Sequence, residues 1–189
     1  MSARCEDQPM RTSVAAAGTS LFFVVAPAVV AGLIPWLITR WQVGASSLGW
    51  APLRVAGTAL LAIAIAVLVH AFVRFVVEGA GTPAPVAPTE QLVIGGLYRF
   101  VRNPMYVAVV AAIVGQALVL VRPVLLVYAS VVGLACAAFV HFYEEPTLAR
   151  RFGTEYETYR RAVSAWWPRA RPWKPAAPQP SPENPEMSA

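Results

Sequence analysis

Charge is scarce in this chain. Only 13% of its 189 residues are Asp, Glu, Lys or Arg, and 57% are hydrophobic, whereas soluble domains carry about 25% charge. With a mean hydropathy of +0.55, that composition excludes an ordinary water-soluble globule. Cysteine is nearly missing too. Cys5 lies in a polar stretch and Cys136 inside an apolar run, which excludes a disulfide framework. His70 and His141 are the only histidines, too few for a conventional zinc cluster, so no metal is expected. The net charge is +5, but the basic residues gather at the ends of apolar runs. A nucleic-acid binder would present a broad basic face with interleaved aromatics. Nucleic acid is therefore not an expected partner, and the charges read as determinants of membrane topology.

What is abundant is long apolar sequence. Residues 1–18 are small and polar, and their acidic Glu6 and Asp7 do not suit a signal peptide; they read as a retained tail. Four apolar stretches follow, at residues 19–38, 54–77, 104–121 and 123–143, each near the length that crosses about 30 Å of hydrocarbon. Pro27 and Pro35 should kink the first. Pro83, Pro85 and Pro88 break the chain after the second, and Arg122-Pro123 reads as a tight turn between the third and fourth. Trp36, Trp41 and Trp50 fall at the expected membrane edges. Beyond residue 143, Leu148, Phe152, Tyr156, Tyr159 and Val163 recur at helical spacing, with Glu157 and Arg161 as an i,i+4 pair on another face. Residues 170–189 are rich in proline and read as a disordered tail. The expectation is an all-α integral membrane protein. It has about four transmembrane helices and a C-terminal amphipathic helix, in one domain over residues 19–169.

Four spans put both termini and the 79–103 loop on one side. Of the 15 Lys and Arg residues, all but Arg40, Arg54 and Arg122 fall on that side, which makes it cytoplasmic by the positive-inside rule. A bacterial inner membrane is the expected location.

Ionisable groups in or beside spans are costly, so they are candidates for function. His70, Arg74 and Glu78 are spaced i, i+4, i+8 in the second span and should face the bundle interior. Arg74 read blandly would only snorkel to the interface. Gly79 and Gly81 would allow close backbone approach to a ligand, or simply stop a helix. Pro104 pushes Asn103 out of helical conformation and opens the third span, leaving free N–H groups near Arg99 and Arg102 that could hold an anion; the arginines could equally contact lipid phosphates. Glu144 and Glu145 close the fourth span just before Pro146, which should bend or stop the helix. They would either cap the next helix or bind a cation or hydroxyls.

Taken in order, "GLYRFVRNPMY", a helical hairpin and "EEPTLARRFGTEYETYRRAV" resemble the isoprenylcysteine carboxyl methyltransferase and phospholipid N-methyltransferase superfamily. The matching residues are Arg102, Asn103, Pro104 and Tyr106, then Glu144 and Glu145, then Phe152, Gly153, Tyr156, Tyr159, Arg160 and Arg161. Roughly residues 70–168 are covered, and the isoprenylcysteine enzymes typically carry His where this chain has Asn103. The resemblance implies a membrane-embedded methyltransferase that uses S-adenosylmethionine and methylates a carboxylate or amine of a lipophilic acceptor drawn from the bilayer. Arg102 would be the catalytic group, holding a carboxylate in a bidentate fork. Gly79, Gly81, Tyr98, Asn103, Pro104, Tyr106, Glu144 and Glu145 would surround the cofactor, with Tyr98 or Tyr106 facing the sulfonium. His70, Arg74, Tyr156 and Tyr159 would lie on the acceptor side.

Two other readings stand beside this one. The C-terminal region also resembles membrane reductases of the sterol-reductase type, which use NADPH, although adjacent glutamates are electrostatically awkward beside phosphates. A non-enzymatic helical membrane protein would carry the same ionisable groups without use for them. The oligomeric state is not encoded in any of these features.

The charge bias generates a direct test. A reporter fused after residue 189 is expected to behave as cytoplasmic, and one inserted near Ser46 as external. The opposite pattern would put Arg102 and the glutamate pair away from any soluble cofactor.

Overall fold

The computed structural model describes residues 25–44, 48–78 and 92–174, with the side chains of residues 48 and 75–78 excepted. Gly79, Gly81, the side chain of Glu78 and the two tails at 1–18 and 175–189 lie outside this set. Among the described residues the chain is wholly helical. Helix α1 runs over Val25–Thr39, α2 over Ala51–Glu78, α3 over Pro104–Leu120, α4 over Val124–Phe139 and α5 over Glu145–Ala162. Helices α4 and α5 join through a π turn at Val140–Glu144 into one rod, Val124–Ala162. The described residues thus form four helical rods, with two short 3-10 turns at Leu48–Trp50 and Gly96–Arg99.

Two of these rods are long and apolar enough to cross a membrane, α2 and the one beginning at Val124. Helices α1 and α3 are apolar but shorter; the 17 residues of α3 span about 25 Å, a little under the hydrocarbon thickness. The α4–α5 rod has 39 residues, about 58 Å of helix, so only its apolar first half can lie in hydrocarbon. That half ends at residue 143, and the charged residues begin with Glu144. Large apolar side chains such as Val55, Ile63, Val127 and Leu134 point outward from the bundle, as lipid-facing positions do.

Of the bend or stop expected at Pro146, the stop does not occur: an irregular π turn precedes the proline and the rod continues. The N–H of Glu145 reaches back five residues to the Val140 carbonyl, and Pro146 follows this π segment inside a continuous rod, so a shift of hydrogen-bond register, not a helix end, accommodates its missing N–H. The rod breaks later, at Gly153 (φ 51°, ψ −124°), a left-handed conformation that suits glycine. The expected tight turn at Arg122-Pro123 is present; Val121 takes left-handed geometry (φ 52°) and its N–H returns to the Ala117 carbonyl.

The most intimate packing in the bundle is α2 against α3. A Cβ on Gly57 would lie 2.7 Å from the Leu118 Cβ and 2.8 Å from the Val119 nitrogen, and one on Gly115 would lie 3.0 Å from the Leu61 nitrogen. The two glycines sit at the crossing, where only backbone fits, as small residues do in membrane bundles. A core of Val109, Ile113, Ala117, Leu120, Leu125 and Ala129 then fastens α3 to α4.

Helix α1 is held by an exchange of hydrogen bonds. Pro35 has no N–H to return to the carbonyls four and five residues earlier, Ala31 and Val30. A π turn occupies Val29–Leu33, and side chains from the hairpin meet both carbonyls. Gln116 Nε2 donates to the Ala31 oxygen (2.6 Å) and the Tyr128 hydroxyl to the Val30 oxygen (2.9 Å).

The glycine crossing sets a stability test. Gly115→Leu forces backbone apart and is expected to cost about 1–3 kcal/mol or more, read as a lowered melting temperature in detergent. Gly133→Ala, whose new Cβ would meet Val110 at an ordinary 3.8 Å, should leave melting unchanged. Equal loss in both variants would refute the close crossing.

Candidate active site

The residues singled out by sequence converge where α3 begins and α4 passes into α5. Pro104 is the first residue of α3 and Asn103 its N-cap (φ −118°, ψ 56°), with no side-chain capping bond, so the residue before the helix is held out of helical conformation, as the Asn-Pro step favours. That places Arg102 just ahead of the helix. On the facing rod, the π turn ends at Glu144 and brings consecutive glutamates toward α3.

Arg102 organises the site. Its Nη1 donates to Glu145 Oε1 (2.8 Å) and to the Tyr156 hydroxyl (3.0 Å). The Arg102 and Glu145 side chains are only 11% and 14% exposed, so this pair is shielded from water. Glu145 Oε2 also lies 3.8 Å from Arg160, which pairs with Glu157 at 3.4 Å. The expected Glu157–Arg161 pair is therefore replaced by Glu157–Arg160, because Arg160 is the arginine that reaches both carboxylates. The other glutamate is held differently. Glu144 Oε2 accepts from the Tyr106 hydroxyl (3.2 Å), and burial pushes its carboxyl above the usual carboxylate range, with the adjacent Glu145 adding to the rise and Tyr106 and Arg102 opposing it.

Around these groups lies a small cleft of about 120 Å³, lined by Tyr98, Arg102, Asn103, Glu144, Glu145, Tyr156 and Tyr159 among others. The Arg102 Nε is buried and finds no partner among the described residues. A buried guanidinium N–H without an acceptor costs free energy, and in a polar cleft it marks a place for one. The phenol of Tyr159 donates to the Tyr98 carbonyl (2.7 Å); burial raises its pKa, so it remains a donor.

The helix stripe read from sequence is the wall of this site. Tyr156, Tyr159 and Val163 are buried, with Leu148, Phe152, Leu92, Ile94 and Trp173 packed on them. The amphipathic helix is folded onto the protein's own loop. Asn103 spends its Nδ2 on the Ala165 carbonyl (3.2 Å). The Arg102 N–H donates to the Ser164 carbonyl, and the Phe100 and Arg99 carbonyls accept from the Arg169 and Trp173 N–H groups. Residues 164–173 thus run as a strap along Arg99–Asn103. Sequence reading missed that strap: residues 170–174 were assigned to the tail, and the signal available was Trp173, an aromatic residue among prolines.

Not every candidate joins the cleft. His70 and Arg74 are exposed and do not point into the bundle as expected. They share a face of α2, but that face meets the Gly96 turn: a Cβ on Gly96 would lie 3.1 Å from both His70 Nε2 and Arg74 Cγ. It is Ala71, fully buried against Val93 and Tyr98, that faces inward. Gly79 and Gly81 lie outside the described residues.

The family model described as phospholipid methyltransferase matches residues 52–155, a stretch from the start of α2 to just past the break at Gly153. No curated protein and no solved structure matches the chain.

The different bonding of the two glutamates predicts different consequences of losing charge. Glu145→Gln weakens a shielded charged hydrogen bond and is expected to destabilise by about 1.5–3 kcal/mol. Glu144→Gln removes a carboxylate that burial disfavours, so melting should hold or rise near neutral pH. Because the folded pKa lies above the unfolded one, wild type loses stability as pH rises from the unfolded value through the folded one. The Gln advantage should therefore fade as pH falls to about 4. Equal destabilisation by both substitutions would contradict the division of roles.

Proposed function

The chain belongs to the phospholipid methyltransferase family of membrane methyltransferases, and on that premise we propose that it uses S-adenosylmethionine to methylate a carboxylate or amine of a lipophilic acceptor. S-adenosylmethionine supplies, when bound, a methyl group on a cationic sulfonium together with an amino-acid end bearing one charge of each sign. The observation that carries the reading is the cleft's charge pattern: a buried Arg102 Nε with no partner among the described residues, beside two carboxylates. Its volume, about 120 Å³, is well below the ~300 Å³ at which pockets for whole ligands begin, so it suits the amino-acid end alone. Arg102 Nε would take the carboxylate, and Glu144 the ammonium.

In this reading Arg102 and Glu145 position each other. Their ion pair and the Tyr156 contact fix the guanidinium before any ligand arrives, so little side-chain freedom is lost on binding. Tyr106 orients Glu144 through its hydroxyl, and Tyr98 supplies an aromatic wall against which a cation is stabilised. Methyl transfer is an in-line displacement, and holding the reactants in line contributes much of the rate. A carboxylate acceptor needs no base; an amine must arrive deprotonated. Asn103, already bonded to the Ala165 carbonyl, holds the strap. Expression in a bacterial inner membrane with both termini cytoplasmic would set the cleft on the side of the soluble cofactor. The acidic pair gives no support to NADPH, whose phosphates would meet two carboxylates.

Titration calorimetry of the full chain in detergent tests this. Wild type should bind S-adenosylmethionine and its demethylated product, and Glu144→Gln should weaken both about ten- to a hundredfold, the equivalent of one charge-assisted bond of about 1.5–3 kcal/mol. Binding of NADPH with no response to S-adenosylmethionine would overturn the assignment.

A further inference from the structure

Three basic residues near the end of α2 take no part in lining the cleft. His70 and Arg74 stand one turn apart on α2 and are exposed, and Arg99 closes the short turn Gly96–Arg99. That turn rests on their face of the helix. A Cβ on Gly96 would lie 3.1 Å from His70 Nε2 and 3.2 Å from Arg74 Nε. Residues three apart in a 3-10 turn lie one above the other. Arg99 therefore leaves the turn on the side of Gly96 that meets His70 and Arg74, whereas Tyr98, the residue before it, lines the cleft.

Arg99 carries the feature that asks for a ligand. Its Nε is buried and finds no acceptor among the described residues. An unsatisfied buried N–H on a charged group is costly, and such an atom in a folded protein marks the place of an ion or polar group that completes it. Arg74 is engaged with a partner of its own, so it contributes charge rather than an open donor. The strap adds to the same sign: the Trp173 N–H donates to the Arg99 carbonyl, which brings the exposed Arg171 and Lys174 next to the turn. Carboxylates lie elsewhere. Those with described side chains are Glu144 and Glu145 in the cleft, and Glu155 and Glu157 on α5.

We propose that His70, Arg74 and Arg99 form a second anion site, separate from the cleft, that takes a phosphate group at the membrane boundary. A guanidinium fork matches phosphate oxygens. The candidate span of α2 ends at Arg74, the depth at which basic side chains meet headgroups. An anionic headgroup and a soluble phosphate present the same chemistry, and the experiment separates them. The site is not that of the methyl acceptor, since it uses neither Arg102 nor the glutamate pair. It stands independently of the methyltransferase reading.

Two measurements on the full chain in neutral detergent test this. Calorimetry follows titration with inorganic phosphate, and native mass spectrometry counts lipid retained after addition of phosphatidylglycerol or phosphatidylcholine. Phosphatidylglycerol has neither amine nor carboxylate, so it cannot be the acceptor of the proposed reaction. Wild type should bind phosphate saturably or retain phosphatidylglycerol in preference; the first result marks a soluble source and the second a headgroup. Arg99→Gln should weaken whichever is seen by about tenfold or more, the loss of a charged hydrogen bond. Arg150→Gln, which removes the same charge from an exposed position on α5, should leave binding near wild type. Melting curves accompany both. Loss of a buried N–H that lacks a partner should not lower the melting temperature of Arg99→Gln, but should abolish the rise that the ligand gives wild type. Should Arg99→Gln fail to fold, Arg74→Gln serves the same comparison. Absence of binding in both arms, or equal weakening by the site variant and Arg150→Gln, would overturn the site.

Discussion

A backbone carbonyl without a donor in hydrocarbon costs several kcal/mol, because no water is there to replace the missing N–H. Two prolines inside the helical rods, Pro35 and Pro146, create such carbonyls, and the architecture follows from how the chain accommodates them. At Pro35 the orphaned oxygens of Val30 and Ala31 accept from Tyr128 and Gln116. The defect in α1 is thereby what attaches it to the helical hairpin. At Pro146 a π turn shifts the hydrogen-bond register by one residue, and the rod continues instead of ending. In both places the irregular turn sits beside a cavity, which fits the tendency of π segments to occur at functional sites.

The second organising element is electrostatic. Arg102, Glu145, Arg160 and Glu157 form a chain of alternating charge running from the shielded cleft to the surface. A buried ion pair gives little net stability of its own, but it is strict about geometry. Here it fixes the start of α3 against the start of α5, and the strap over Arg99–Asn103 closes the same seam with backbone bonds. Glu144 stands outside this chain, bonded only through Tyr106, and is the carboxylate left available to a cation.

How much of this was legible beforehand depends on the kind of signal. Periodicity located the helices and the Tyr156–Tyr159 stripe, because a helical face either is or is not apolar. The Asn-Pro step, the Glu-Glu pair and the Tyr spacing carried a resemblance that the family match over residues 52–155 supports. Failures came where local rules compete with tertiary partners. Pro146 reads as a helix stop, yet a register shift absorbs it. The i,i+4 spacing of His70 and Arg74 fixes their common face, but not whether that face meets the bundle or the Gly96 turn. Glu157 has arginines at both i+3 and i+4, and only the position of Glu145 decides between them. Gln116 is a lone amide within an apolar helix, a signal of a buried acceptor, but nothing local in the sequence says that the acceptor is the Ala31 carbonyl on α1.

The two cavities, the polar cleft at Arg102 and the apolar space between α1, α2 and α3, differ in character. The polar cleft is small and edged by charges already locked to one another, so it offers few positions to a ligand and favours orientation. The apolar cavity is several times larger, and dispersion and area burial hold an occupant there without fixing its angle. Precision is then required only where the spaces approach each other, at Val93, Tyr98 and Met105. Met105 is the flexible member of that layer, and an unbranched thioether adapts its shape to what lies on either side. The rigid components lie on the Arg102 side of this layer and the accommodating ones on the Gln116 side.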